Sequence, residues 1–85
     1  RSSDLVRAYP NPTSGLFNLV LTGFAEGQVR VKVMNVYGQL IYSKEVYLKK
    51  GYGNLPIDIR GPNSGIHLLQ VIQQDRIQVL KLMKE

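Results

Sequence analysis

Short stretches of apolar/polar alternation recur along this 85-residue chain, each about the length of one β-strand and each ended by glycine, proline, asparagine or aspartate. Leu16–Thr22 sets Phe17, Leu19 and Leu21 against Asn18 and Thr22, and Gly23–Gly27 breaks the pattern. Gln28–Val36 alternates most clearly: Val29, Val31 and Val33 fall on one side, Arg30 and Lys32 on the other, which predicts a strand with one wet face. Asn35-Val36-Tyr37-Gly38 places asparagine at the first and glycine at the fourth position of a type I turn. A hairpin returning through Gln39–Val46 follows. Tyr47–Gly53 reads as a longer polar connection and the most mobile part of the chain. Leu55, Ile57 and Ile59 then alternate with Pro56, Asp58 and Arg60. Pro56 cannot donate to a ladder, so this strand belongs at a sheet edge. After the turn cluster Gly61–Gly65, Ile66–Gln73 is almost continuously apolar, which places it at the centre of a sheet. Gln74-Asp75 turns the chain into a last strand, Arg76–Met83.

No stretch of ten residues has a helical period with a capping signal, and no internal repeat or low-complexity tract is present. Short strands at roughly ten-residue spacing predict an all-β fold, an Ig-like antiparallel β-sandwich of six to seven short strands. A chain of this length makes one domain and buries only about 60–65% of its unfolded surface. Residues 1–8 read as a linker or tail, although Leu5 and Val6 could add a short edge strand; residues 9–85 form the domain.

Composition narrows the chemistry. There are no cysteines, so disulfides and thiolate metal sites are excluded. No apolar run approaches the roughly 18–20 residues that span a bilayer as a helix, and no secretory signal peptide opens the chain. The net charge of +5 suits anionic surfaces. The basic residues are scattered, however, with Lys49-Lys50 the only doublet, so they read as a solvated face and edge protection, not a nucleic-acid site.

Candidate catalytic groups are sparse. His67 is the only histidine; a two-histidine metal site within one chain is excluded, and the residue reads as a partly buried side chain with a hydrogen bond. The six acids are spread singly, without a paired-carboxylate pattern. Ser14 and Ser64 lie in turns, and no serine has a nucleophile-elbow context. No glycine-rich phosphate cradle or other cofactor motif is present. The five tyrosines divide between core or turn packing and a sugar-stacking platform, Tyr37, Tyr47 and Tyr52 being nearest the predicted loops. Nothing here assembles an active site.

Two segments near the chain ends carry more information. In Tyr9-Pro10-Asn11-Pro12-Thr13-Ser14-Gly15, the two prolines fix φ and hold Tyr9 and Asn11 extended, and Thr13-Ser14-Gly15 supplies a turn. Lys81-Leu82-Met83-Lys84-Glu85 closes the chain. The front motif with Phe17 and Leu19 after it, the block Val31–Gln39 ending in Gly38, the blocks Ile57-Asp58-Ile59 and Asn63-Ser64-Gly65-Ile66, and the Lys81–Lys84 end occur in the order of a known family. Together they resemble the type A C-terminal sorting domain of type IX (Por) secretion cargo from Bacteroidota. Gln39 stands where that family often has a basic residue, His67 where it often has tyrosine, and Glu85 extends the end by one.

The resemblance implies a non-catalytic secretion signal that directs a parent cargo protein across the outer membrane, to the cell surface or the medium. Its implied partners are the type IX machinery at the outer membrane and a surface signal peptidase that can attach the cargo to anionic lipopolysaccharide. The signal for crossing the inner membrane would lie on a longer parent chain. Lys81, Leu82, Met83 and Lys84 would be the residues recognised, offering exposed lysines, apolar anchors and backbone edge groups to a groove. Tyr9, Pro10, Asn11, Pro12, Gly15, Gly38 and Gly65 would be structural. Exposed edge strands leave a homodimer open. The alternative is an accessory fibronectin-like or carbohydrate-binding module of a surface enzyme, and a third reading is a bare spacer.

Overall fold

The alternating stretches fold as seven strands: β1 (Val6–Tyr9), β2 (Leu16–Leu21), β3 (Gly27–Asn35), β4 (Leu40–Leu48), β5 (Gly53–Asp58), β6 (Gly65–Gln73) and β7 (Arg76–Lys84). The structure, a computed structural model, describes residues 5–85. All strand pairs are antiparallel. One sheet has the order β1-β2-β5 and the other β4-β3-β6-β7. The expected all-β sandwich is what forms. In a constant-type immunoglobulin domain the fourth strand joins the sheet of the first two; here it joins the opposite sheet.

The inward positions of each alternation make the core. Phe17, Leu19, Leu21 and Ile57 from the smaller sheet face Val29, Val31, Val33, Leu48, Leu69, Val71 and Leu82 from the larger one. Each fully buried leucine, valine or phenylalanine contributes about 1.5–3 kcal/mol relative to exposure. Pro56 lies in β5, an edge strand, opposite Asn18. β6 sits inside its sheet between β3 and β7, as its apolar run predicts.

Two expectations are corrected. Tyr47–Gly53 is not a long mobile connection, because β4 runs on through Tyr47 and Leu48, and Leu48 is fully buried. Only Lys49–Tyr52 remains as a turn, closed by the Tyr52 N–H donating to the Lys49 carbonyl at 3.2 Å. Of the residues that suggested a loop, Tyr47 is an outward member of β4, and Lys49, Lys50 and Gly51 make the tight turn itself. Of the stretch read as linker, residues 1–4 lie outside the described residues. Leu5 packs in the core, and Val6–Ala8 belong to β1, which pairs with β2 from Val6 opposite Leu21 to Tyr9 opposite Asn18.

Local chemistry fixes the connections. At the β3–β4 turn the Gly38 N–H donates to the Asn35 carbonyl at 3.0 Å, as a type I turn requires. Asn35 Oδ1 accepts from the N–H groups of Tyr37 and Gln39, and Asn35 Nδ2 donates to Gln39 Oε1. Gln73 at the end of β6 holds the β2–β3 loop: its Nε2 donates to the Ala25 carbonyl at 2.7 Å, and its Oε1 accepts from the Ala25 N–H at 3.2 Å.

Candidate functional site

Pro10 and Pro12 lack N–H groups, so the segment between β1 and β2 has few backbone donors of its own. Asn11 and Thr13 compensate, and both turn towards the last strand. The Asn11 side chain acts as a short strand: Nδ2 donates to the Lys81 carbonyl at 3.0 Å, and Oδ1 accepts from the Met83 N–H at 3.0 Å. Two residues on, the backbone continues the same ladder. The Thr13 N–H donates to the Met83 carbonyl, and the Glu85 N–H donates to the Thr13 carbonyl, both at 2.8 Å. The front motif and the chain end are therefore one structural unit.

Thr13 is only 1% exposed. Its Oγ1 donates to the Leu16 carbonyl at 2.9 Å and accepts from the Gly15 N–H at 3.0 Å, which sets the turn into β2. Gly15 has φ +121°, and a Cβ there would stand 2.8 Å from Arg60 Cγ and 2.9 Å from Arg60 Cα. Glycine is required both for conformation and for space. The Ile59 N–H donates to the Gly15 carbonyl at 2.8 Å, tying the motif to the end of β5. Gly38 and Gly65 take φ +81° and +102° with open space around them. Tyr9 is the exposed last residue of β1, and the Tyr9–Pro10 and Asn11–Pro12 peptide bonds are both cis.

The tail residues divide by the alternation of β7. Leu82 points inward and is fully buried, and Lys84 points inward and is 4% exposed. The Lys84 stem fills the end of the core, and its Nζ donates to the Gly61 carbonyl at 3.0 Å. Lys81 and Met83 point outward. The picture of exposed lysines at the end thus holds for Lys81 and is corrected for Lys84. The backbone groups at that end are not on offer either, since Asn11 and Thr13 occupy the Lys81 carbonyl, both Met83 groups and the Glu85 N–H.

His67 lies inside the sandwich opposite Leu82 and is 1% exposed. Its Nδ1 donates to the Gly65 carbonyl at 3.0 Å, and Nε2 has no partner among the described residues. Of the tyrosines, Tyr42 packs against the core, and Tyr9, Tyr37, Tyr47 and Tyr52 are exposed. The Tyr47 hydroxyl donates to Glu26 at 2.7 Å, and that bond, with a second from the Lys50 N–H, holds the Glu26 carboxyl below its ordinary range. Asp58 is likewise lowered by a two-point contact with the Arg60 guanidinium at 3.0 and 3.1 Å. Neither carboxylate faces a cavity, and no cluster of three metal-ligating side chains occurs among the described residues.

Sequence reasoning missed two things. One is Thr13, whose burial and double hydrogen bond were hidden in what read as a turn residue. The other is the outer face of β6 and β7, where Ile66, Leu68, Ile77, Val79 and Met83 remain exposed. The signal for the second was present: both strands carry apolar residues on both faces, more than a one-sided strand needs.

Compared with known protein families, residues 7–85 match the one described as "Secretion system C-terminal sorting domain". No curated protein matches the chain.

Proposed function

This chain belongs to the secretion-system C-terminal sorting domains, the folded signals that send type IX cargo across the outer membrane, and we propose that its signal is read at the β7 end, Lys81–Lys84. Within that end the roles differ. Lys81 and Met83 present side chains to the machinery, and Leu82 and Lys84 hold the strand in place from inside. The domain does no chemistry itself; it marks a parent protein for the cell surface or the medium. Removal by a surface signal peptidase, with transfer of the cargo to anionic lipopolysaccharide, would complete its use.

The observation that carries this reading is the junction of the front motif with the tail. Asn11 and Thr13 fix the last residues in one conformation on a rigid sandwich. A signal held in one geometry binds without the entropy of ordering a free peptide. The Tyr9–Gly15 motif, with Gly38 and Gly65 at their turns, serves that presentation.

The test is export of a reporter fused to the N-terminal side of the full chain in a host with type IX machinery. Deleting Lys81–Glu85 is a poor variant, because it removes Leu82 from the core and strips Asn11 and Thr13 of their partners. Lys81→Glu with Met83→Gln alters only outward side chains. Export of the unaltered fusion, with retention of the double variant in the periplasm at unchanged stability, is the expected result. Equal export of both overturns reading through the tail side chains.

A further inference from the structure

A β-sandwich sheet that faces water normally alternates apolar-in with polar-out. β3 and β4 follow this on most of their outer face, with Gln28, Arg30 and Lys32 on one and Ser43, Glu45 and Tyr47 on the other. β6 and β7 do not. Their outward positions pair as Ile66 with Met83, Leu68 with Lys81, Gln70 with Val79, and Ile72 with Ile77. On the other side of β6, Leu68 pairs with Met34, and Met34 with exposed Leu40. Directly paired side chains on one face lie about 4.5–5.5 Å apart at Cβ, so Ile66 with Met83, Ile72 with Ile77, and Met34 with Leu40 and Leu68 are apolar contacts. Val79, paired with Gln70, lies between them on a face that is apolar at most of its positions. Ile77 and Val79 are each 56% exposed. Folding does not require them to be apolar, and contiguous exposed apolar surface marks an interaction site.

The charges on the same face say what fits it. Lys32 stands opposite Gln70, and Lys81 opposite Leu68, inside the apolar area. Neither is in an ion pair among the described residues. Among the described strand residues of the face the one carboxylate, Glu45, is held by Arg30 at 2.9 Å, and Glu26 beside the face is held by the Tyr47 hydroxyl at 2.7 Å. The surface is therefore apolar with two uncompensated ammonium groups. The outward positions of β6 and β7 hold no tyrosine or tryptophan, the residues that mark surfaces lying in a membrane interface, and the outward tyrosine of the sheet, Tyr47 on β4, has its hydroxyl on Glu26. β7 is also a sheet edge, and its hydrogen-bonding cap by Asn11 and Thr13 reaches only from Lys81 to Glu85.

We propose that the outer face of β6 and β7, from Ile77 and Val79 to Met83, is a docking surface for a protein of the export machinery. The matching surface carries apolar side chains with aspartate or glutamate opposite Lys32 and Lys81. The inference rests on the sorting reading and enlarges its site: Lys81 and Met83 are one end of a face whose larger part lies before the tail.

The test uses the full chain fused behind an exported reporter, with two separate double variants. Leu68→Thr/Val79→Thr removes apolar area while keeping strand-forming side chains. Lys32→Glu/Lys81→Glu reverses the two charges and leaves the apolar area intact. Leu16→Thr, at an exposed apolar position of the other sheet, is the control. Urea midpoints confirm folding. The expected result is a loss of surface reporter of tenfold or more in each double variant, with the control unchanged. Normal export of both folded double variants overturns the docking face and leaves the sorting reading standing. A wild-type fusion that stays in the periplasm overturns both. Sedimentation of the isolated chain and flotation with phosphatidylglycerol–phosphatidylcholine vesicles identify the other occupants. A dimer that Leu68→Thr/Val79→Thr makes monomeric would assign the face to a second copy, and vesicle binding lost in the double variants would assign it to lipid. Either overturns the proposal.

Discussion

The side chain of Asn11 bridges two backbone groups of the last strand, accepting from the Met83 N–H and donating to the Lys81 carbonyl, each at 3.0 Å. Residues 70 or more positions apart are thereby joined at the sheet edge, and the bridge blocks that part of β7 from pairing with another strand. Asn11→Ala removes both bonds. Each is worth about 0.5–1.5 kcal/mol net, so the variant is expected to lose about 1–3 kcal/mol in urea unfolding. The Met83 amide should lose hydrogen-exchange protection. Asn11→Asp keeps the acceptor and loses the donor, and it should restore protection at Met83 only in part. An unchanged Met83 amide in Asn11→Ala would show that the bridge does not hold the strand.

The two lysines of the tail should separate sharply in mutation. Lys84 is buried with its Nζ on the Gly61 carbonyl, whereas Lys81 is on the outer face. Lys84→Ala removes the packed stem and leaves a carbonyl without its donor, at a cost of about 1–3 kcal/mol. Lys81→Ala is a surface change and should stay within about 0.5 kcal/mol. In the export assay the order reverses for folded protein: Lys81 variants lose transport at full stability. Equal destabilisation by the two substitutions would contradict the division of roles.

How much of this was legible in the sequence depends on the kind of information each feature needs. Period-two alternation gave most strands, because an inward position and an outward one differ in residue type at Val29–Val33 and Phe17–Leu21. It failed at Tyr47 and Leu48, where two polar neighbours hid one buried leucine. Pro56 located an edge strand through a missing N–H, which is local chemistry. The link from Asn11 to Met83 is not local. Nothing in either segment alone says that an asparagine side chain will complete the other's ladder, so the two ends could be picked out but not joined. The inward placement of Lys84 was implicit in the phase of β7: it is two residues from Leu82 and shares its face. Expecting exposed lysines at the end meant trusting residue type over phase.

Gly51 should be the least replaceable residue of the turn that joins the sheets. It has φ +73°, and a Cβ there would collide with the Phe24 carbonyl oxygen. A left-handed conformation and a backbone clash both act against alanine. Gly51→Ala is expected to cost about 3 kcal/mol or more, the range of named severe mechanisms. Gly27 is the comparison: its φ is +143° and nothing lies within 4 Å of its Cβ position, so Gly27→Ala should cost about 1 kcal/mol. Thermal unfolding of the two variants checks this. Similar midpoints would mean that the Phe24 backbone yields and the approach is not tight.

The Glu26–Tyr47 pair predicts a stability profile that falls at both ends of the pH range. Glu26 is lowered first by the Tyr47 hydroxyl and then by the Lys50 N–H, and Tyr47 is raised chiefly by the same bond to Glu26. A lowered carboxylate contributes stability that is present above its unfolded value, about 4.3, and is lost as pH falls through the folded one. A raised phenol contributes stability that is complete below its unfolded value, about 10, and is lost as pH rises through the folded one. Tyr47→Phe removes the first cause of the Glu26 shift and all of the Tyr47 contribution. Its urea midpoint should therefore change less than that of the unaltered chain between about pH 5 and pH 3, and the alkaline fall should shrink. In NMR titration the Glu26 carboxyl should move up towards its ordinary value in Tyr47→Phe, with the Lys50 N–H still holding part of the shift. A Glu26 titration identical in the two proteins would show that this surface bond is not maintained in solution.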